Sequence, residues 1–170
     1  MKKKLLLAFV SLGILSSCNN DDNDGGSSSG SITGTYKLTA YNISEPQDLN
    51  NDGTPSVNQM NETACFNDSF MTLNADNTFV YDDKGLDIVT DGVNESIECY
   101  DDGQVTGTWS LSGNVLTLTY TFDGDTYSDD YTVSGTTITL MVESGSVVGT
   151  TSAGDPVYVT ADFSAVYTKQ

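Results

Sequence analysis

The sequence predicts an all-β fold, an antiparallel up-and-down β-barrel of eight to ten strands. Three observations predict it. Apolar and hydroxyl-bearing side chains alternate with a period of two through most of the chain after residue 31, which is the pattern of half-buried strands. Turn signals carrying glycine and asparagine separate these runs at short spacing, as hairpin connections require. No stretch after residue 31 keeps helical spacing over three turns. A meander of short hairpins leaves two open edges unless it curls and closes on itself.

The elements follow in chain order. A first strand is expected over 33–43, then strands over 68–74 and 77–82 on either side of Ala75-Asp76-Asn77. Short strands over 86–90, 94–100 and 105–111 come next, with Leu111 assigned to the interior. After Ser112-Gly113-Asn114, the run VLTLTYTF (115–122) sets Leu116, Leu118, Tyr120 and Phe122 on one face and three threonines on the other. Asp123-Gly124-Asp125 leads into a strand over 126–133. Ser134-Gly135-Thr136 leads into TTITLMV (136–142), where Ile138, Leu140 and Val142 align. The last run, VYVTADFSAVYTK (157–169), places Phe163, Ala165 and Tyr167 on one side. Its Val, Thr and Tyr residues suit a pleated surface.

Ahead of this domain, MKKKLLLAFVSLGILSSC joins three lysines, an apolar run from Leu5 to Leu15, and small residues. The run is shorter than the ~20 residues a membrane-spanning helix needs, and the order of parts is that of a secretory signal over 1–17. Leu15-Ser16-Ser17-Cys18 resembles the lipobox of bacterial lipoproteins, which implies cleavage before Cys18 and its acylation, with palmitate or a similar chain. Residues 18–31, rich in Asn, Asp, Gly and Ser, are too polar to bury surface and are expected to stay a flexible tether. Its reach is roughly 20 Å. Asp21, Asp22 and Asp24 resemble the surface-export signal of Bacteroidota lipoproteins. The expectation is a barrel domain over 32–170 hung from the outer membrane, and the export-signal resemblance implies display on the cell surface.

The chain has six basic residues, all lysine, and no histidine, against 24 acidic residues. Three of the lysines lie in the signal, which leaves Lys37, Lys84 and Lys169. Such a balance excludes nucleic-acid binding, which needs a basic patch. It also excludes charge-driven docking on anionic lipid, so membrane attachment falls to the acyl chains. High negative charge favours solubility and draws cations, and a monomer is expected. Cys65 and Cys99 remain as a pair. In an exported chain an even pair usually forms a disulfide, here restricting the unfolded chain by roughly 3–4 kcal/mol; two free buried thiols are the alternative.

Gly34-Thr35-Tyr36-Lys37-Leu38 opens the first strand, where lipocalin-like proteins carry a G-x-W motif whose ring plugs one barrel end. GTWSL (107–111) followed by SGNVLTLTYTF, the long stretch from Asp48 to Tyr81 with its cysteine before a strand, and the final ADFSAVYTK together resemble the lipocalin-like domain lipoproteins of Bacteroidota, of the Flavobacteria type. The resemblance spans nearly all of 32–170. It departs at Tyr36, which stands in place of tryptophan, and in the lack of an arginine to cap that ring. It implies the barrel and leaves its cargo open.

Four groups of residues invite a chemical reading. In DLNNDGTPS, Asp48, Asn50, Asp52 and Thr54 alternate as the oxygen donors of a calcium loop do, with Gly53 at the sharp turn. Position twelve is Gln59 and not a bidentate acid, so the choice lies between an isolated calcium site and a polar turn held by Asx hydrogen bonds. The pairs Asp82-Asp83, Asp101-Asp102 and Asp129-Asp130 are read as a solvated rim, because strand neighbours point to opposite faces and do not share a proton. Nucleophiles here lack a histidine base, and no carboxylate pair is marked out for acid–base work. The protein is therefore not expected to be an enzyme, nor to hold any cofactor besides that calcium. Four N-x-S/T sequons, at Asn42, Asn61, Asn67 and Asn94, are read as chance in an Asn- and Thr-rich chain. The inward aromatic residues Tyr36, Trp109, Tyr120, Phe163 and Tyr167 are the candidates for contact with a small, partly apolar ligand in a hollow barrel. The alternative function is a structural or adhesion module, with a packed barrel and an acidic loop turned to a partner.

Overall fold

The computed structural model describes residues 31–170. The signal, Cys18 and the tether through residue 30 lie outside the described residues. Nine antiparallel strands form one sheet: β1 (Gly34–Gln47), β2 (Ser56–Asn58), β3 (Phe70–Leu73), β4 (Thr78–Asp91), β5 (Asn94–Ser112), β6 (Val115–Phe122), β7 (Asp125–Ser134), β8 (Thr137–Thr150) and β9 (Pro156–Lys169). β1 pairs with β3 on one side and with β9 on the other, so all strands but β2 close into an eight-stranded up-and-down barrel. The short β2 lies beside the upper part of β1, above β3.

Hairpin chemistry fixes the registers. Phe122 faces Asp125 across Asp123-Gly124, both in the left-handed region with φ of 50° and 89°, as a two-residue turn matching the strand twist demands. With Leu116 opposite Tyr131 and Leu118 opposite Asp129, the inward face of β6 dictates that of β7.

The closed end of the barrel is packed solid. Tyr36, Met71, Leu73, Phe79, Leu116 and Ile138 are all buried there to 2% exposure or less. The Tyr36 hydroxyl donates to the Ile32 carbonyl oxygen at 2.7 Å, and the Lys169 ammonium stands 5.9 Å from the Tyr36 ring centroid. Lys169 is the register partner of Tyr36, so the last strand supplies the cation over the plug ring. Trp109 seals the same end from β5, its indole N–H donating to the Asn74 carbonyl oxygen at 3.0 Å.

Three irregularities differ from the expected short strands. The runs 77–82 and 86–90 are one strand, β4, bent at Asp83, which stands opposite Asp102 and Gly103 of an equally continuous β5. Thr39 bulges from β1, and Glu143-Ser144 from β8. A bulge adds one residue and re-aims the side chains beyond it, so strict alternation breaks although the strand continues. β8 therefore runs eight residues past its expected end at 142, to Thr150. Leu111 and Phe122, assigned to the interior, are exposed at the ends of their strands, beyond the reach of the facing wall.

The upper half of the barrel is built differently from the floor. Above Tyr81, β4 pairs only with β5. The ladder between β7 and β8 stops at Tyr131 opposite Leu140. The β4–β5 ribbon reaches across to β9, where the Tyr158 hydroxyl donates to Asp87 and accepts from the Ile88 amide. Cys65, in the connection from β2 to β3, is disulfide-bonded to Cys99 of β5, which ties the ribbon to the barrel wall.

Candidate functional site

The upper half encloses two chambers. The first, of about 390 Å³, lies between β4, β5, β6 and β7, with Leu140 of β8 at its inner edge. Its wall is aromatic, from Phe79 and Tyr81 below to Tyr120 and Tyr131 at the sides, and Phe122 and Tyr127 form an exposed rim. The second, of about 260 Å³, lies toward β1, β8 and β9. There Phe66 stacks on Tyr41 at 4.6 Å and Tyr41 on Phe163 at 5.3 Å. Tyr81, Tyr131 and Leu140 line both chambers and form the partition between them.

Two carboxylates enter the first chamber. Asp129 faces inward because it is the register partner of Leu118, and it accepts the Tyr120 hydroxyl at 2.9 Å. Tyr127 stacks beside Tyr120 at 5.8 Å. Burial and the bond to Asp129 push the Tyr120 hydroxyl up to about 12, so it remains a donor at neutral pH. Asp83 faces inward in alternation with Phe79 and Tyr81, opposite a bulge at Asp102-Gly103 of β5, and the Tyr81 hydroxyl lies 3.4 Å from its Oδ1. Burial, and then the charge of Asp102, raise the pKa of Asp83. Burial also holds the hydroxyls of Tyr81, Tyr131 and Tyr167 neutral.

The five aromatic residues singled out by the sequence pattern divide between floor and chambers. Tyr120 lines the first chamber, and Phe163 and Tyr167 line the second. Tyr36 and Trp109 line neither; they belong to the packed floor, where the first strand and the end of β5 converge. Asp83, Asp129, Tyr127 and Tyr131 join the site only through the folded register. A signal for the two acids does exist in the sequence, since of two strand neighbours one must face inward. Their partners face elsewhere: Asp82 accepts from the Phe70 amide and from Gln104, and Asp130 accepts from Thr117.

The loop over 48–54 has the geometry of a polar turn. Asp48 accepts the amides of Asp52 and Gly53, at 3.0 and 2.9 Å. Asn50 accepts the Asp52 amide at 2.9 Å, and Asp52 accepts the Thr54 amide at 2.7 Å. The side-chain oxygens thus serve the loop's own backbone, and among the described residues no cluster of three or more acidic, cysteine or histidine side chains is arranged to hold a metal.

Residues 32–140 match the lipocalin-like domain family. The match covers more than half of the 170-residue chain, and the chain belongs to that family. It ends inside β8, yet β9 beyond it is the strand that closes the barrel on β1. No curated protein matches the chain.

Proposed function

We propose that this chain is a non-catalytic binding lipoprotein of the cell envelope, held to the outer membrane by an acyl chain on Cys18, whose barrel carries a small, partly apolar ligand. The observation that carries the reading is the aromatic chamber of about 390 Å³ above a solid floor. Its volume lies in the range of small-molecule sites, and its apolar wall with a few placed polar groups is the usual composition of such sites. Bulk and burial in the floor give rigidity, while the upper ribbons leave space where packing would otherwise fill it.

Native mass spectrometry of the protein purified from its source membranes tests this reading. The expected spectrum shows an added mass that is lost on denaturation, and a spectrum of bare protein only, under conditions that keep the barrel folded, overturns it. Cys18→Ser should move the protein from the membrane fraction to the soluble fraction, and retention in the membrane overturns the anchor.

The competing reading, an adhesion or structural module, has one observation in its favour. Met141, 76% exposed, stands on an outer groove of about 530 Å³ across β1, β8 and β9. A partner recovered by crosslinking at Met141, with no ligand mass inside the barrel, would favour it.

A further inference from the structure

We propose that the chamber between β4 and β7 takes an organic ammonium, a primary or quaternary amine with an apolar body, and rejects anionic ligands such as carboxylates. This rests on the carrier reading above and names its ligand class.

The wall holds two carboxylates, Asp83 and Asp129, and no basic side chain. The three lysines of the described residues are all placed elsewhere. Lys37 bonds Asp68 at 2.9 Å, Lys84 lies 3.4 Å from Asp101 and lines the neighbouring chamber, and Lys169 caps Tyr36. Among the described residues, the two acids are therefore unpaired by any protein cation. Asp83 and Asp129 are half-buried at the chamber wall, so an entering cation meets two opposite charges and an entering anion two like ones.

Tyr120 holds Asp129 through Oδ2, and Oδ1 carries no hydrogen bond from the described residues. A second observation points to a polar ligand independently of the acids. Tyr131 is 94% buried, being 6% exposed, lines both chambers, and its hydroxyl has no hydrogen-bond partner among the described residues. The hydroxyl is not among the sealed, unpartnered atoms of the interior, so it is open to the chamber space, where a partner would sit.

The rings supply the remaining contact. Tyr120, Tyr127, Phe122 and Phe79 line the chamber with the acids, and ammonium groups bind aromatic rings when desolvated. Burial of Asp83 next to Asp102 leaves its charge poorly compensated, which an ammonium would relieve.

The experiment is calorimetric titration of the purified protein with three probes of matched shape: 4-phenylbutylamine, 4-phenylbutanol and 4-phenylbutyrate. The amine is expected to bind at least about tenfold more tightly than the alcohol, with the acid weakest. Asp129→Asn, and separately Asp83→Asn, should bring the amine-to-alcohol ratio down toward one. A ratio is read within each variant, so a general loss of stability does not mimic the result. If the alcohol or the acid matches the amine, the charge assignment fails while the carrier reading stands. If none of the three binds, the ammonium assignment fails, and the carrier reading is decided separately by the native mass spectrum.

Discussion

Lys169, the penultimate residue, holds its ammonium 5.9 Å from the centre of the Tyr36 ring, and the same nitrogen donates to the Ser31 carbonyl oxygen at 2.5 Å. One lysine thus joins both ends of the described chain at the floor of the barrel. The floor depends on the ring more than on the cation.

Tyr36→Ala should therefore destabilise by about 3–5 kcal/mol, the cost of emptying a buried aromatic site. Lys169→Met should cost only about 0.5–1 kcal/mol, because the cation lies at a partly exposed face. Urea denaturation of both variants measures the difference, and equal losses would contradict this ranking.

The disulfide should matter most for the ribbon over the second chamber. Cys65→Ser with Cys99→Ser removes a cross-link spanning 34 positions, worth roughly 3–4 kcal/mol on the chain-entropy view. Hydrogen exchange should rise first over 84–101, where β4 and β5 pair only with each other. Uniform loss of protection across all strands would show that the ribbon is not a separate unit.

Gly107 is the point of closest approach between β5 and its neighbours. A Cβ there would lie 2.1 Å from the Thr119 carbonyl oxygen and 2.7 Å from Phe79 Cε1. The first contact is backbone and has no rotamer to escape into. Gly107→Ala should destabilise by roughly 1–3 kcal/mol, read from its urea midpoint, and a wild-type midpoint would disprove the close packing.

Asp83 should make stability fall as pH rises. It faces Tyr81 on its own strand, Tyr100 and Asp102 on β5, and Tyr120 and Asp129 across the chamber. Burial and then Asp102 raise its folded-state pKa. A raised value means that the folded protein holds the proton more tightly, so the contribution is complete below the unfolded value of about 3.9 and is lost as pH climbs through the folded one. Asp83→Asn cannot ionise, so its melting temperature should gain on the wild type as pH rises above about 4. Parallel melting curves across that window would contradict the assignment.

Much of the fold was legible because burial leaves a simple mark. Leu116, Leu118 and Tyr120 alternate with threonines, and the structure turns that same face inward. What escaped the sequence sits at bulges. Asp102-Gly103 and Glu143-Ser144 each break the two-residue rhythm, so the β4–β5 ribbon reads as fragments and β8 as a shorter strand. The plug cation escaped for another reason: Lys169 is adjacent to Tyr36 only after the barrel closes, across 133 positions of sequence. The chamber acids escaped because a doublet such as Asp129-Asp130 looks fully solvated until the register with Leu118 is known.

The ladder that stops at Tyr131 and Leu140 leaves a vertical seam in the wall, with the first half of β7 and the second half of β8 lacking a mutual hydrogen bond. Parting the two ribbons along that line breaks no backbone bond between them, so the vessel can widen sideways while its base stays shut. On the carrier reading proposed above, a bulkier ligand would find its room along this seam and not at a fixed mouth.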